Sequence, residues 1–161
     1  MGFTGTTGSL AELIGRGGIY RDVGGTTPRE VLAAFTGTLP PLPSAPADRL
    51  LRAVLEREAL MPTGIGNGIA LPHPRNPIIT DRNDEFAALA FLEHRVDWNA
   101  LDGEKVDTLF LIVSASAKQH LRTLAEVTFF CRTEDFCRLL RERVPGEELL
   151  RYIEEAEKNW K

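Results

Sequence analysis

The sequence predicts an α/β domain, a sheet sandwiched between helices, on three observations. Phe86 to Leu92, FAALAFL, and the LFLIV run within Val106 to Val113 are nearly continuous apolar stretches bounded by charge, as in strands covered on both faces. Helix-start signals alternate with them, Thr27-Pro28-Arg29-Glu30 and Ser116-Ala117-Lys118-Gln119. The 161 residues contain no composition break that separates two domains, and that length suits one compact core.

Residues 1–8 are polar and rich in Gly and Thr, which predicts a flexible N-terminus ahead of a domain over 9–161. Leu10 to Ile14 can form one helical turn, broken by Gly15, Gly17 and Gly18, and Ile19, Tyr20 and Val23 suggest a short strand. Thr27 as cap, Pro28 at the first helical position and Glu30 at the third predict a helix to about Thr38 that buries Val31, Leu32 and Phe35. Leu39 to Ala47 is a Pro-rich connector, too short to divide domains. The next helix, about Ala47 to Leu60, carries Leu50, Leu51, Val54 and Leu55 on one face.

A short buried strand is expected at Ile69 to Leu71, stopped by Pro72, which has no N–H to donate. Asn76 to Asp84 is polar and turn-rich, and His94 is placed in a loop after the first long strand. The Ser116-x-x-Gln119 capping box starts a helix at Ala117, with Leu121, Leu124, Ala125 and Thr128 on one face. Thr133 can cap a helix carrying Phe136, Leu139 and Leu140. Pro145 can open a last one, with Leu149, Leu150 and Ile153 facing inward.

Composition excludes several function classes. A net charge of −4, with 19 basic against 23 acidic residues and no dense basic stripe, argues against nucleic acid as a partner. No apolar stretch approaches the ~18 residues needed to span a bilayer. Met1 to Gly8 lacks the basic start and apolar centre of a signal peptide, so a cytoplasmic location without membrane insertion is expected. Cys131 and Cys137 lack metal-site spacing and read as reduced structural thiols.

The unusual chemistry lies in Arg57 to Arg75, REALMPTGIGNGIALPHPR. Gly64, Gly66 and Gly68 permit backbone angles and close approaches that side chains forbid, so this is a shaped loop. His73 follows a strand end between two prolines, and Pro74 drives it toward extended angles. A neutral imidazole there is a nucleophile that needs no separate strong base. Arg57 falls near a helix C-terminus on the flank of the apolar stripe, within reach of the glycine loop; a surface arginine compensating the helix dipole is the alternative. His120 lies in the first turn of a later helix, where a plain surface residue is the alternative.

The run Thr63 to His73, TGIGNGIALPH, resembles the active-site signature of the fructose/mannitol-type IIA domains of the bacterial phosphotransferase system, most of all their nitrogen-regulatory relatives. The resemblance implies a mixed β-sheet flanked by α-helices on both faces, and a phosphoryl group carried by His73 on its epsilon nitrogen, with the delta nitrogen held by a backbone oxygen. It places the phosphoryl-stabilising arginine on Arg57 and a second, stabilising histidine on His120. Family members usually have a small residue, commonly glycine, after the histidine; Pro74 stands there here and removes that backbone N–H.

Other motif readings fail on specifics. Gly64-x-Gly66-x-Gly68 lacks the dinucleotide spacing and precedes a strand, there is no GxxxxGK[ST], and His73, His94 and His120 carry no zinc-ligand spacing. Neither metal nor cofactor is expected. The resemblance implies a phosphotransferase with a phosphohistidine intermediate. It would accept phosphate from the histidine-containing phosphocarrier protein and act on a regulatory target such as a kinase or ion transporter. That no IIB or transport domain accompanies the signature favours regulation; one alternative is a sugar-specific IIA component passing phosphate to a IIB domain, as isolated IIA chains of the family also do. Another is a degenerate binding module in which Pro74 blocks phosphorylation. Docking of partner proteins is expected through an apolar patch with Met61, Ile65 and Leu71 partly exposed.

Overall fold

The computed structural model describes residues 8–40, 42 and 46–159. Its elements run α1 (Leu10–Gly17), β1 (Ile19–Val23), α2 (Pro28–Thr38), α3 (Ala47–Leu60), β2 (Gly64–Gly66), β3 (Ile69–Ala70), β4 (Phe86–Val96), β5 (Val106–Val113), α4 (Ala117–Arg132), α5 (Glu134–Arg141) and α6 (Gly146–Lys158). One five-stranded sheet has the order β1-β4-β5-β3-β2. It is mixed: β1 and β4 are parallel, as are β3 and β5, whereas β4 pairs β5 and β2 pairs β3 antiparallel.

Alternation along the two central strands builds both layers. Ala87, Leu89, Phe91, Phe110 and Ile112 face a core closed by α1, α4, α5 and α6, with Phe130 and Phe136 at its centre. Ala88, Ala90, Leu92, Leu109 and Leu111 face the opposite core, closed by Val31, Leu32 and Phe35 of α2 and Leu50 and Val54 of α3. Each fully buried Leu, Val or Phe contributes about 1.5–3 kcal/mol, so the inside-both-ways character of β4 and β5 makes them the stable centre.

Capping follows the sequence closely. Thr27 accepts from the Glu30 N–H and Ser116 from the Gln119 N–H, each at 3.2 Å. The Glu30 carboxylate reaches the Thr26 N–H at 2.8 Å, one residue before the expected partner.

Several expectations are corrected. The first helix passes through Gly15 and Gly17 and ends at Gly18, whose φ of 94° suits only glycine. Gly17 is there for packing, because any Cβ would strike the Ala87 carbonyl. The glycine segment is half strand: β2 turns back on β3 through Asn67 and Gly68, both at positive φ (58° and 78°), as a two-residue type I′ hairpin turn requires. His94 lies inside β4, exposed beside Glu93, and not in a loop. On α4 the buried face is Thr123, Val127, Phe130 and Cys131, while Leu121 and Ala125 point to solvent. Thr133 occupies the cap position of α5 without a capping bond, its hydroxyl donating instead to the Phe129 carbonyl at 3.1 Å. Leu51, Leu55 and Leu150 are half-buried. Cys131 and Cys137 are free and buried, the Cys137 thiol 2.9 Å from the Cys131 carbonyl. Residues 1–7, and positions 41 and 43–45 of the Pro-rich connector, lie outside the described residues.

Candidate phosphoryl-transfer site

His73 follows a segment that backbone bonds fix in place. The Gly68 carbonyl accepts from Asp107 and Thr108 of β5, Leu71 N–H donates to the Thr63 carbonyl at 3.0 Å, and Ile112 N–H donates to the Pro72 carbonyl at 3.1 Å. The segment 69–72 is thus held between its own hairpin and the sheet's central strand, and Pro72 loses nothing by lacking an N–H. Past it, His73 is 7% exposed. Its Nδ1 lies 2.7 Å from the Leu71 carbonyl oxygen. A carbonyl only accepts, so Nδ1 carries the proton and Nε2 keeps its lone pair.

Electrostatics keep that ring neutral. Burial first, then the neighbouring His120 and Arg57, pull His73 down to about 4, against the opposing bond to Leu71. His120 is also lowered, by burial and then by Arg57. The two imidazoles approach to 4.5 Å between centroids at 42°. They come from distant elements: His73 from the end of the β3 segment, His120 from the first turn of α4, where its N–H bonds the Ser116 carbonyl at 3.0 Å. Arg57, in the last turn of α3, donates to the Met61 carbonyl at 2.7 Å. Its guanidinium acts electrostatically on both rings, lowering each. The three candidate residues are therefore assembled at one place.

A cleft of about 260 Å³ opens next to His120, walled by Pro74, Pro77, Ile112, Ser114, Ala117 and Leu121. Met61 (65%), Ile65 (42%) and Leu121 (65%) are exposed apolar side chains around the site, whereas Leu71, expected among them, is buried within the core. Arg75, Lys118 and Arg122 are exposed. Among the described residues no group of three or more His, Cys, Asp or Glu is placed to hold a metal. No helix among them is long and apolar enough to cross a membrane.

Supporting residues that the sequence did not single out complete the frame. Glu58 grips Thr63 through both carboxylate oxygens, at 2.8 Å to its N–H and 2.6 Å to its hydroxyl, fixing where β2 begins. Asp102 accepts from Asn67 N–H at 3.0 Å and steadies the hairpin turn. The Asn67-Gly68 pair was a visible hairpin signal; Asp102-Gly103 reads as a turn, but nothing in the sequence pairs Asp102 with Asn67 or Glu58 with Thr63.

The chain is similar to known proteins along much of its length. The chain is 35% identical over 116 residues to the nitrogen regulatory protein of Escherichia coli (strain K12), covering 71% of this chain and 70% of that one. To the nitrogen regulatory protein of Klebsiella oxytoca it is 37% identical over 112 residues, 68% of each. The fold matches the crystal structure of nitrogen regulatory protein IIA-Ntr from Neisseria meningitidis with a TM-score of 0.76 at 22% identity, over 89% of this chain and 98% of that chain. The family model described as phosphoenolpyruvate-dependent sugar phosphotransferase system, EIIA 2, matches residues 13–156, and the chain belongs to that family.

Proposed function

We propose that this chain is a phosphoryl carrier of the nitrogen-regulatory type. It takes a phosphoryl group on Nε2 of His73 from the histidine-containing phosphocarrier protein, with Arg57 and His120 stabilising the group in flight. The observation that carries the reading is the tethered, neutral imidazole of His73 facing a second imidazole and a guanidinium.

The chemistry needs little more. As the donor's N–P bond breaks, the Nε2 lone pair forms the new one, and the donor imidazole leaves with its electron pair. The proton on Nδ1 stays in place, and the Leu71 carbonyl stabilises the positive charge that the ring acquires. The transition state is loose, with charge spread over the phosphoryl oxygens, so in-line positioning and cationic donors dominate. Arg57 supplies a planar fork and His120 a single donor. Pro74 offers no N–H to the group, and these two side chains are the donors assigned to it.

Substrates are then proteins, and the exposed apolar side chains Met61, Ile65 and Leu121 suit a docking surface around the buried histidine. Phosphorylation adds about −2 charge to that surface, enough to reverse its preference for a regulatory partner. The family's sugar-system description favours a second reading, transfer from His73 to a IIB domain in sugar uptake.

Intact-mass spectrometry after incubation with phosphoenolpyruvate, enzyme I and the phosphocarrier protein tests the proposal. One acid-labile phosphoryl group is expected, absent in His73→Ala. No phosphorylation with several cognate donors overturns it and leaves a binding module on this fold. Rapid passage of the label to a purified sugar-specific IIB would move the assignment to sugar uptake.

A further inference from the structure

Glu85, a buried acid just before β4, has no part in the chemistry above. It is 4% exposed, and a carboxylate so placed is costly unless it is hydrogen-bonded. One oxygen accepts from the Ala115 N–H at 2.8 Å. That N–H belongs to the short turn between β5, which ends at Val113, and α4, which begins at Ala117, so neither ladder nor helix satisfies it. The next residue, Ser116, caps α4 and accepts the His120 N–H.

Glu85 is itself clamped. Arg16 of α1 donates to its carbonyl at 2.8 Å and to that of Arg82 at 3.2 Å, and the following Phe86 pairs with Val113 across the sheet. The carboxylate thus connects a fixed point of the sheet to the turn from which α4 departs. His120 sits one helical turn beyond that point, facing His73 at 4.5 Å. A small rotation at the turn would swing the His120 ring out of register with the phosphoryl group.

We propose that Glu85 is a positioning residue for phosphoryl transfer: through Ala115 it sets the entry of α4 and so aims His120 at His73. The inference rests on the carrier reading for the reaction it serves. Its effect on His120 can be read without that reaction.

The test is a double-mutant cycle with His120, whose interaction free energy separates a shared pathway from independent damage. Glu85→Ala is expected to slow phosphoryl acceptance at saturating phosphocarrier protein about tenfold or more, with the donor KM unchanged. In a His120→Ala background the same change is expected to have no further effect. Glu85→Gln, which keeps an acceptor oxygen for Ala115, restores the rate. Glu85→Asp, which draws the carboxylate back by one carbon, shows the same dependence on His120 and serves if the alanine variant does not fold. A loss of equal size in both backgrounds, or full activity in Glu85→Ala, overturns the proposal. NMR titration of the His120 ring is a second readout: its depressed titration moves back toward the ordinary value in Glu85→Ala and stays put in Glu85→Gln. An unchanged titration in Glu85→Ala overturns the positioning role. Failure of the unsubstituted protein to accept phosphate would overturn the carrier reading, leaving the titration to decide the role of Glu85.

Discussion

The Nδ1 of His73 is bonded to the carbonyl of Leu71, two residues earlier, at 2.7 Å, so the chain that delivers the imidazole also fixes which nitrogen is free. With its ionisation held near 4, chiefly by burial, the ring is neutral through the physiological range. The rate of phosphoryl acceptance is therefore expected to be flat between about pH 6 and 8 with respect to this group, falling only as the ring protonates. A pH–rate profile with a break near 6.5 assignable to His73 would contradict this.

The same shift couples folding to acid. The unfolded histidine, with its ordinary value near 6.5, binds more protons than the native one between there and about 4. The stabilising contribution is complete above 6.5 and disappears as pH falls through 4. His73→Gln is expected to flatten that part of the stability curve, read as urea midpoints at pH 7 and 5. His120 shifts in the same direction, so part of the slope remains in the single variant.

Glu126 and Glu157 give the opposite limb. They share a hydrogen bond beside the start of α1, where Glu157 also accepts from the Leu10 N–H at 2.8 Å. Burial, and then the bond to Glu157, raise Glu126 to about 8, with Arg122 opposing. A raised carboxyl stabilises fully below its unfolded value near 4.5, and that contribution is lost as pH rises through 8. Glu126→Gln keeps a donor for Glu157 and cannot ionise. Its urea midpoint is expected to exceed that of the unsubstituted protein at pH 9 and to change little at pH 6; a lower midpoint at pH 9 would refute the shared-proton arrangement.

Two glycines of α1 separate propensity from packing. A Cβ at Gly15 meets nothing within 4 Å, so Gly15→Ala is expected to stabilise by about 0.5–1 kcal/mol through helix propensity. At Gly17 it would collide with the Ala87 backbone at the centre of the sheet, and Gly17→Ala is expected to destabilise by about 3 kcal/mol. Thermal melts of the two variants should move in opposite directions.

The layers were legible because both their signals are local. FAALAFL and LFLIV alternate between two cores, and Thr27 and Ser116 announce their helices. The face of α4 was not, because that helix carries two apolar stripes, and only packing against β5 and α6 selects Val127 and Phe130 over Leu121 and Ala125. In α1, glycine was taken as a breaker where it serves close approach. At the site, strand end, helix end and helix start placed His73, Arg57 and His120 on their elements, but only the resemblance carried by TGIGNGIALPH joined Arg57 and His120 to His73. Glu85 was hidden, since an acid closing a polar segment looks like surface until its long-range bond to Ala115 is seen.

Pro74 stands where the resemblance in sequence leads to the expectation of a small residue. It is buried and walls the cleft beside His120, so it acts as packing as well as a backbone constraint. The orientation of His73 does not depend on an N–H at position 74, because it is set by Leu71, Thr63 and Ile112 through bonds that precede it. Pro74→Gly is accordingly expected to change the rate of phosphoryl acceptance by less than about threefold, under 1 kcal/mol of barrier. It is also expected to lower stability by about 1 kcal/mol, because the glycine chain has more unfolded freedom to lose and leaves the cleft wall unfilled. Stopped-flow or quenched transfer assays from the phosphocarrier protein, with denaturant melts alongside, separate the two effects. A rate gain of tenfold or more would show that the proline restrains the site, and would make the degenerate, binding-only reading the better account of this chain.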